Sequence, residues 1–151
     1  PNGHPLDSGL RVTSMDEPIN LVLFSGTDDR LQAAAVMTAG AAALGRRVNI
    51  FLQYWALDAF RKDRITAGRG LSAEAGEAGA ALVAAAALAG QAPWHETLRQ
   101  AKELGEVDIQ ACSLSMDVLK IEEDDLDPLV DGVEGVTAFY INAGDGHIVF
   151  I

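Results

Sequence analysis

The feature that most limits the fold is a short apolar run, Ile19 to Phe24 (INLVLF), ended at once by Ser25-Gly26-Thr27-Asp28-Asp29. A run without polar alternation fits a strand buried on both faces, as in the interior of a parallel sheet. Asp28 or Asp29 can cap the helix that follows, from about Arg30 to Leu44. Its many alanines favour helix and allow close packing on a sheet. Gly45 supplies the stop. Val48 to Leu52 (VNIFL) reads as a second strand, and Trp55, Ala56, Leu57 and Phe60 continue as a short helix. Strand, helix, strand, helix is the rhythm of a parallel α/β sheet.

The segment Thr66 to Gly90 interrupts that rhythm. It opens with a loop holding Gly68 and Gly70, and Ala78 to Ala89 reads as helix. It is too apolar to stand free in solvent, so it is expected to cover a sheet edge or a subunit contact. Pro93 then starts a helix on which Trp94, Leu98, Ala101 and Leu104 share a face, and Gly105 ends it. Val107 to Ala111 is the third strand, with Cys112 at its end and a short helix over Met116 to Lys120. Val136 to Ile141 reads as a fourth strand after Gly135, and His147 to Ile151 as a fifth. The expected fold is a single α/β domain over residues 19–151, with about five mostly parallel strands flanked by helices in three layers. Residues 1–18 form an extended or disordered lead-in.

The formal charge of −11 disfavours nucleic acid and anionic lipid, both of which demand a basic face. Two uncharged stretches, Leu31 to Gly45 and Ala78 to Trp94, are shorter than the roughly 20 residues of a membrane span. Pro1 to Ser14 is polar and has no apolar signal-peptide core. His4, His95 and His147 are scattered, so no metal site is expected.

Cys112 is the only cysteine. It cannot form an intramolecular disulfide, and a lone thiol suits a reducing, cytoplasmic setting. Open α/β sheets place working groups at the carboxyl ends of strands. A thiol there, ahead of a helix, would meet the unpaired N–H groups and positive dipole end that favour thiolate. Ser113 and Ser115 could add hydrogen bonds. The plainer reading is also open, because free cysteine is among the most buried residue types.

Several segments together resemble one family. They are Leu21-Val22-Leu23-Phe24-Ser25-Gly26, the Ala-rich helix ending in Leu44-Gly45, Val48-Asn49-Ile50-Phe51 with Trp55-Ala56-Leu57, and Ile109-Gln110-Ala111-Cys112-Ser113-Leu114-Ser115-Met116-Asp117-Val118. This pattern is similar to the peroxiredoxin-like branch of the DsrE/DsrF-like family of sulfur-transfer proteins. The resemblance implies that Cys112 accepts sulfane sulfur as a persulfide, or a thiosulfonate group, in sulfur oxidation or trafficking. It implies a sulfurtransferase-like carrier without cofactor, TusA-like carriers or rhodaneses as partners, and assembly as a homotrimer or hexamer. The stretch Gly68 to Gly90 departs from that branch, being Ala-rich and acidic where the branch is often rich in Met and Lys.

Ser25 and Gly26 follow the first strand and could shape an anion-binding turn near Cys112, although a turn and helix cap account for the same residues. Trp55 could roof the thiol. The acidic run Glu122 to Asp127 fits a solvated face, or a docking surface for a basic carrier. With one cysteine, an adduct on Cys112 needs an external thiol for release. The alternative function is a non-catalytic assembly or regulatory module in which Cys112 is buried packing.

Overall fold

A computed structural model describes residues 16–151. Most of the expected lead-in, and His4, lie outside the described residues. Among the described residues five strands form one sheet in the order β4-β3-β2-β1-β5, with every pair parallel. They are β1 (Ile19–Leu23), β2 (Val48–Leu52), β3 (Val107–Cys112), β4 (Gly132–Glu134) and β5 (Ile148–Phe150). Among the described residues six α-helices connect or cover them: α1 (Asp28–Ala43), α2 (Tyr54–Ala59), α3 (Gly76–Leu88), α4 (Trp94–Leu104), α5 (Ser113–Leu119) and α6 (Val136–Ala143).

The connection rule for parallel strands explains the layering. Crossovers between parallel strands are right-handed. The steps β1 to β2, β2 to β3 and β3 to β4 all move the same way across the sheet. Their helices, α1 to α5, therefore fall on one face. The step from β4 back to β5 runs the opposite way, so α6 falls on the other face.

The two faces are built from alternate residues. Leu21 and Leu23, Val48, Ile50 and Leu52, and Ile109 and Ala111 point toward α1 to α5. There they join Leu31, Leu57, Phe60, Trp94 and Leu98 in the main core. Asn20, Val22, Asn49, Phe51, Asp108, Gln110 and Cys112 point toward α6. Val22, Phe51, Cys112 and Phe139 make a second, smaller cluster there. Two of the pairs in the β1–β2 register, Asn20 with Asn49 and Val22 with Phe51, sit on this face.

The expected fourth strand, Val136 to Ile141, is instead α6. Its β-branched and aromatic residues resemble a strand by composition. Burial shows helical spacing, with Phe139 and Ala143 buried four residues apart. Gly135 is the residue that precedes this helix, and the true β4 lies just upstream of it. The helix after Cys112 also starts earlier than expected, at Ser113 rather than Met116.

The insertion helix α3 does not cover a sheet edge. Its residues Val83 and Ala87 stand over the N-terminal turns of α1 and α4, and no α3 side chain is buried. Among the described residues no helix is long and apolar enough to cross a membrane.

Candidate functional site

The carboxyl end of the sheet starts from the register Leu23, Leu52, Ala111 on β1, β2 and β3. Cys112 lies one residue beyond, where β3 becomes α5, and is the residue immediately before that helix. Its side chain makes no hydrogen bond to the helix end. The alternation that sends Ala111 into the main core turns Cys112 to the α6 face. There it is 5% exposed and packs with Val22, Phe51 and Phe139. The rings of Phe51 and Phe139 stack at 4.9 Å.

A carboxyl group shares this face. Glu134 pairs with Cys112 in the β3–β4 register. Burial raises the Glu134 pKa, the nearby Asp108 charge raises it further, and a hydrogen bond from Asn142 opposes both. That bond joins α6 to β4 at 3.1 Å.

Ser25 and Gly26 serve the turn into α1. The Ser25 hydroxyl lies 3.2 Å from that of Thr27 and accepts the Thr27 backbone N–H at 3.4 Å. A Cβ on Gly26 would stand 2.4 Å from the Trp55 carbonyl oxygen, so only glycine lets the two backbones approach. The Gly26 carbonyl also accepts a hydrogen bond from Arg69 Nε at 2.9 Å. Arg69 in turn reaches Asp58 at 3.1 Å. Since β1 and β3 are separated by β2, their backbones lie about 10 Å apart. Ser25 is thus placed in a turn of its own, not against the thiol.

Trp55 is exposed on α2, with its ring tilted 6.3 Å from that of Tyr54. Tyr54 itself has φ 41°, a left-handed value that a bulky side chain adopts only under strain. Its ring lies 5.6 Å from Phe24, whose ring stacks on Phe150 at 5.9 Å. An aromatic ledge therefore crosses the carboxyl ends of β2, β1 and β5. Beside it, a groove of about 220 Å³ is lined by Phe51, Gln53, Val136, Phe139 and Phe150. Ser113 is exposed beside Gly135. Ser115 is fully buried, and its hydroxyl has no hydrogen-bond partner among the described residues. The described residues contain no cluster of three or more metal-ligating side chains.

Two polar residues inside the strands escaped the sequence reading. Asn49 Nδ2 donates to Asn20 Oδ1 at 2.9 Å and to the Asn142 carbonyl at 3.3 Å. Asn20 Nδ2 donates to the carbonyls of Ala143 and His147 at 3.3 and 3.2 Å. The pair fastens the C-terminal end of α6 to β1 and β2. An asparagine at the second position of both apolar runs, on the face opposite the leucines, was the available signal.

Fold and site together define a parallel α/β domain with one thiol where its third strand turns into a helix. Residues 15–89 match the model of the DsrE/DsrF/DrsH-like family, and the chain belongs to that family. The match covers β1 to α3 and ends before Cys112. The uncharacterized protein YrkE of Bacillus subtilis (strain 168) is 27% identical over 161 residues, covering 91% of this chain and 98% of that protein. A solved structure of a protein of unknown function, MTH1491 from Methanobacterium thermoautotrophicum, is similar with 16% identity and a TM-score of 0.46, covering 88% of this chain and 99% of that one.

Proposed function

We propose that this protein is a sulfur carrier in which Cys112 accepts sulfur from one thiol and delivers it to another. The observation that carries the reading is the position of Cys112. The chain's one thiol stands at the carboxyl end of a parallel strand, in a DsrE/DsrF/DrsH-like chain. In the forward step the Cys112 thiolate attacks the outer sulfur of a donor persulfide. A new S–S bond forms on Sγ, the donor S–S bond breaks, and the donor leaves as a thiolate that takes up the released proton. No net oxidation occurs. With tetrathionate the leaving group is thiosulfate, and Cys112 is left carrying a thiosulfonate group. A second thiol then removes the sulfur by the same exchange.

The burial of the thiol sets the access requirement. Phe139 on α6 covers it, so transfer requires α6 to shift on the sheet. The expected donor or acceptor is a TusA-like carrier or a rhodanese, met in a reducing cytoplasmic compartment by a homotrimer or hexamer of this chain. No metal or organic cofactor enters the exchange.

The test is the intact mass after treatment with polysulfide or tetrathionate. A mass gain on Cys112 that dithiothreitol removes, and that Cys112→Ser lacks, is the expected result. An unmodified Cys112 would overturn the proposal. The second reading, a non-catalytic module with Cys112 as packing, is favoured by its apolar cluster and low exposure. That reading expects alkylation by iodoacetamide only as fast as the protein unfolds, and normal partner binding in Cys112→Ser.

A further inference from the structure

A cavity opens on the face of the sheet opposite the one that holds Cys112. It measures about 390 Å³ and lies between α3 and the N-terminal turns of α1 and α4. At about 30 Å³ per water-sized group, it has room for roughly a dozen heavy atoms. Ile65, Val83, Ala87 and Trp94 supply an apolar wall, and Asp28 and Asp29 supply two carboxylates. Among the described residues no Lys or Arg lines it, and the one other titratable side chain on the wall is His95.

The carboxylates are held in place. Asp28 accepts the Arg69 backbone N–H at 2.8 Å and the Trp94 indole N–H at 3.3 Å. Asp29 accepts the Ser72 backbone N–H at 3.0 Å and its hydroxyl at 2.5 Å. Burial pushes the Asp29 pKa up, but the bonds from Ser72, Thr27 and Arg30 outweigh it and bring it to about 2. Both groups sit at the start of α1, whose dipole offsets about half a unit charge. The excess on the wall remains negative.

The roof is unusual for a helix of its composition. Helix α3 reads GEAGAALVAAAAL, carries one charge, and buries none of its side chains. Leu82 is 72% exposed. A large apolar surface left open beside a cavity marks a binding site more often than a bare surface.

We propose that this cavity binds a small organic cation, an ammonium group on an apolar body, with the charge toward Asp28 and Asp29 and the body between Trp94 and α3. The apolar wall accepts the body by desolvation. The two carboxylates select the sign of the head group and reject anions. The site is independent of Cys112 and of the sulfur-carrier reading.

Calorimetric titration of the full chain with three probes of one shape tests it: phenethylammonium, 2-phenylethanol and 3-phenylpropionate. The cation is expected to bind at least about tenfold more tightly than the alcohol, and the carboxylate not to bind. Ala87→Trp, which fills the cavity from the exposed helix, is expected to abolish binding, and Val83→Trp provides the same block from a second position. Asp28→Asn is expected to bring cation and alcohol to within about threefold. No binding of any probe, equal binding of all three, or binding that survives both tryptophan variants would overturn the proposal. So would self-association that Leu82→Glu dissolves together with loss of probe binding, since the occupant would then be a second copy of the chain.

Discussion

The two faces of the sheet differ in how they are covered. Helices α1, α2, α4 and α5 close over one face, with α3 outside them, and Leu21, Ile50, Phe60 and Leu98 form a continuous apolar core there. One eight-residue helix, α6, covers the other, where the cluster is four residues and Ile148 and Phe150 remain exposed. The first face holds the fold by area. The second is held at specific points, by the Asn20–Asn49 pair and the Glu134–Asn142 bond. Cys112 belongs to the second face. The candidate chemistry therefore sits on the side whose cover is smallest and most easily lifted.

This contrast orders the expected effects of substitution. Phe60→Ala empties a fully buried site against Trp94 and should cost about 3–5 kcal/mol by urea denaturation. A cost below about 1 kcal/mol would show that the face holding Phe60 is not the main source of stability. Asn20→Ala removes one hydrogen bond each from the Ala143 and His147 carbonyls and from the buried Asn49 amide, each of which keeps a second. It should cost about 2 kcal/mol. It should also raise hydrogen exchange in α6 well before it does so in α1. Equal exchange in both helices would mean that the pair does not fasten α6.

Gly26→Ala forces the β1–α1 turn away from the Trp55 carbonyl and should cost about 1–2 kcal/mol, read from the thermal midpoint. Asp29→Ala should cost about 1 kcal/mol at pH 7, after allowance for partial solvent screening. Because the folded pKa is depressed from 3.8 to about 2, that stabilisation is present above pH 3.8 and lost as pH falls through 2. The variant and the parent should converge in denaturation curves near pH 2. A constant gap down to that pH would show that the effect is not electrostatic. Phe150→Ala, on the exposed side, should change stability by less than about 1 kcal/mol.

Much of the fold was legible in the residues. The apolar runs in β1 and β2 lie buried in a parallel sheet, and α1 follows from its alanines and its acidic first turn. The site was less legible. Period-two counting along Val107 to Cys112 already puts Cys112 on the side of Asp108 and Gln110. Composition hid α6, because Val136, Thr137, Phe139, Tyr140 and Ile141 favour strands one by one, and only their burial pattern shows the helix. The cap of α1 lies just ahead of the expected aspartates. Thr27 is the N-cap, and Asp28 and Asp29 hold the insertion to the first turn.

The backward step from β4 to β5 also has a consequence for how the chain assembles. Asn20 and the His147 carbonyl that it holds are 127 residues apart, and β5 joins the sheet only beside β1. Loop closure makes such a distant parallel pairing slow compared with the local steps β1 to β4. Until it forms, the outer edge of β1 is bare and can template a strand from another chain. Exchange of α6 and β5 between two molecules would close both edges with the same contacts, which makes a swapped dimer the misassembly to look for when this protein is refolded at high concentration.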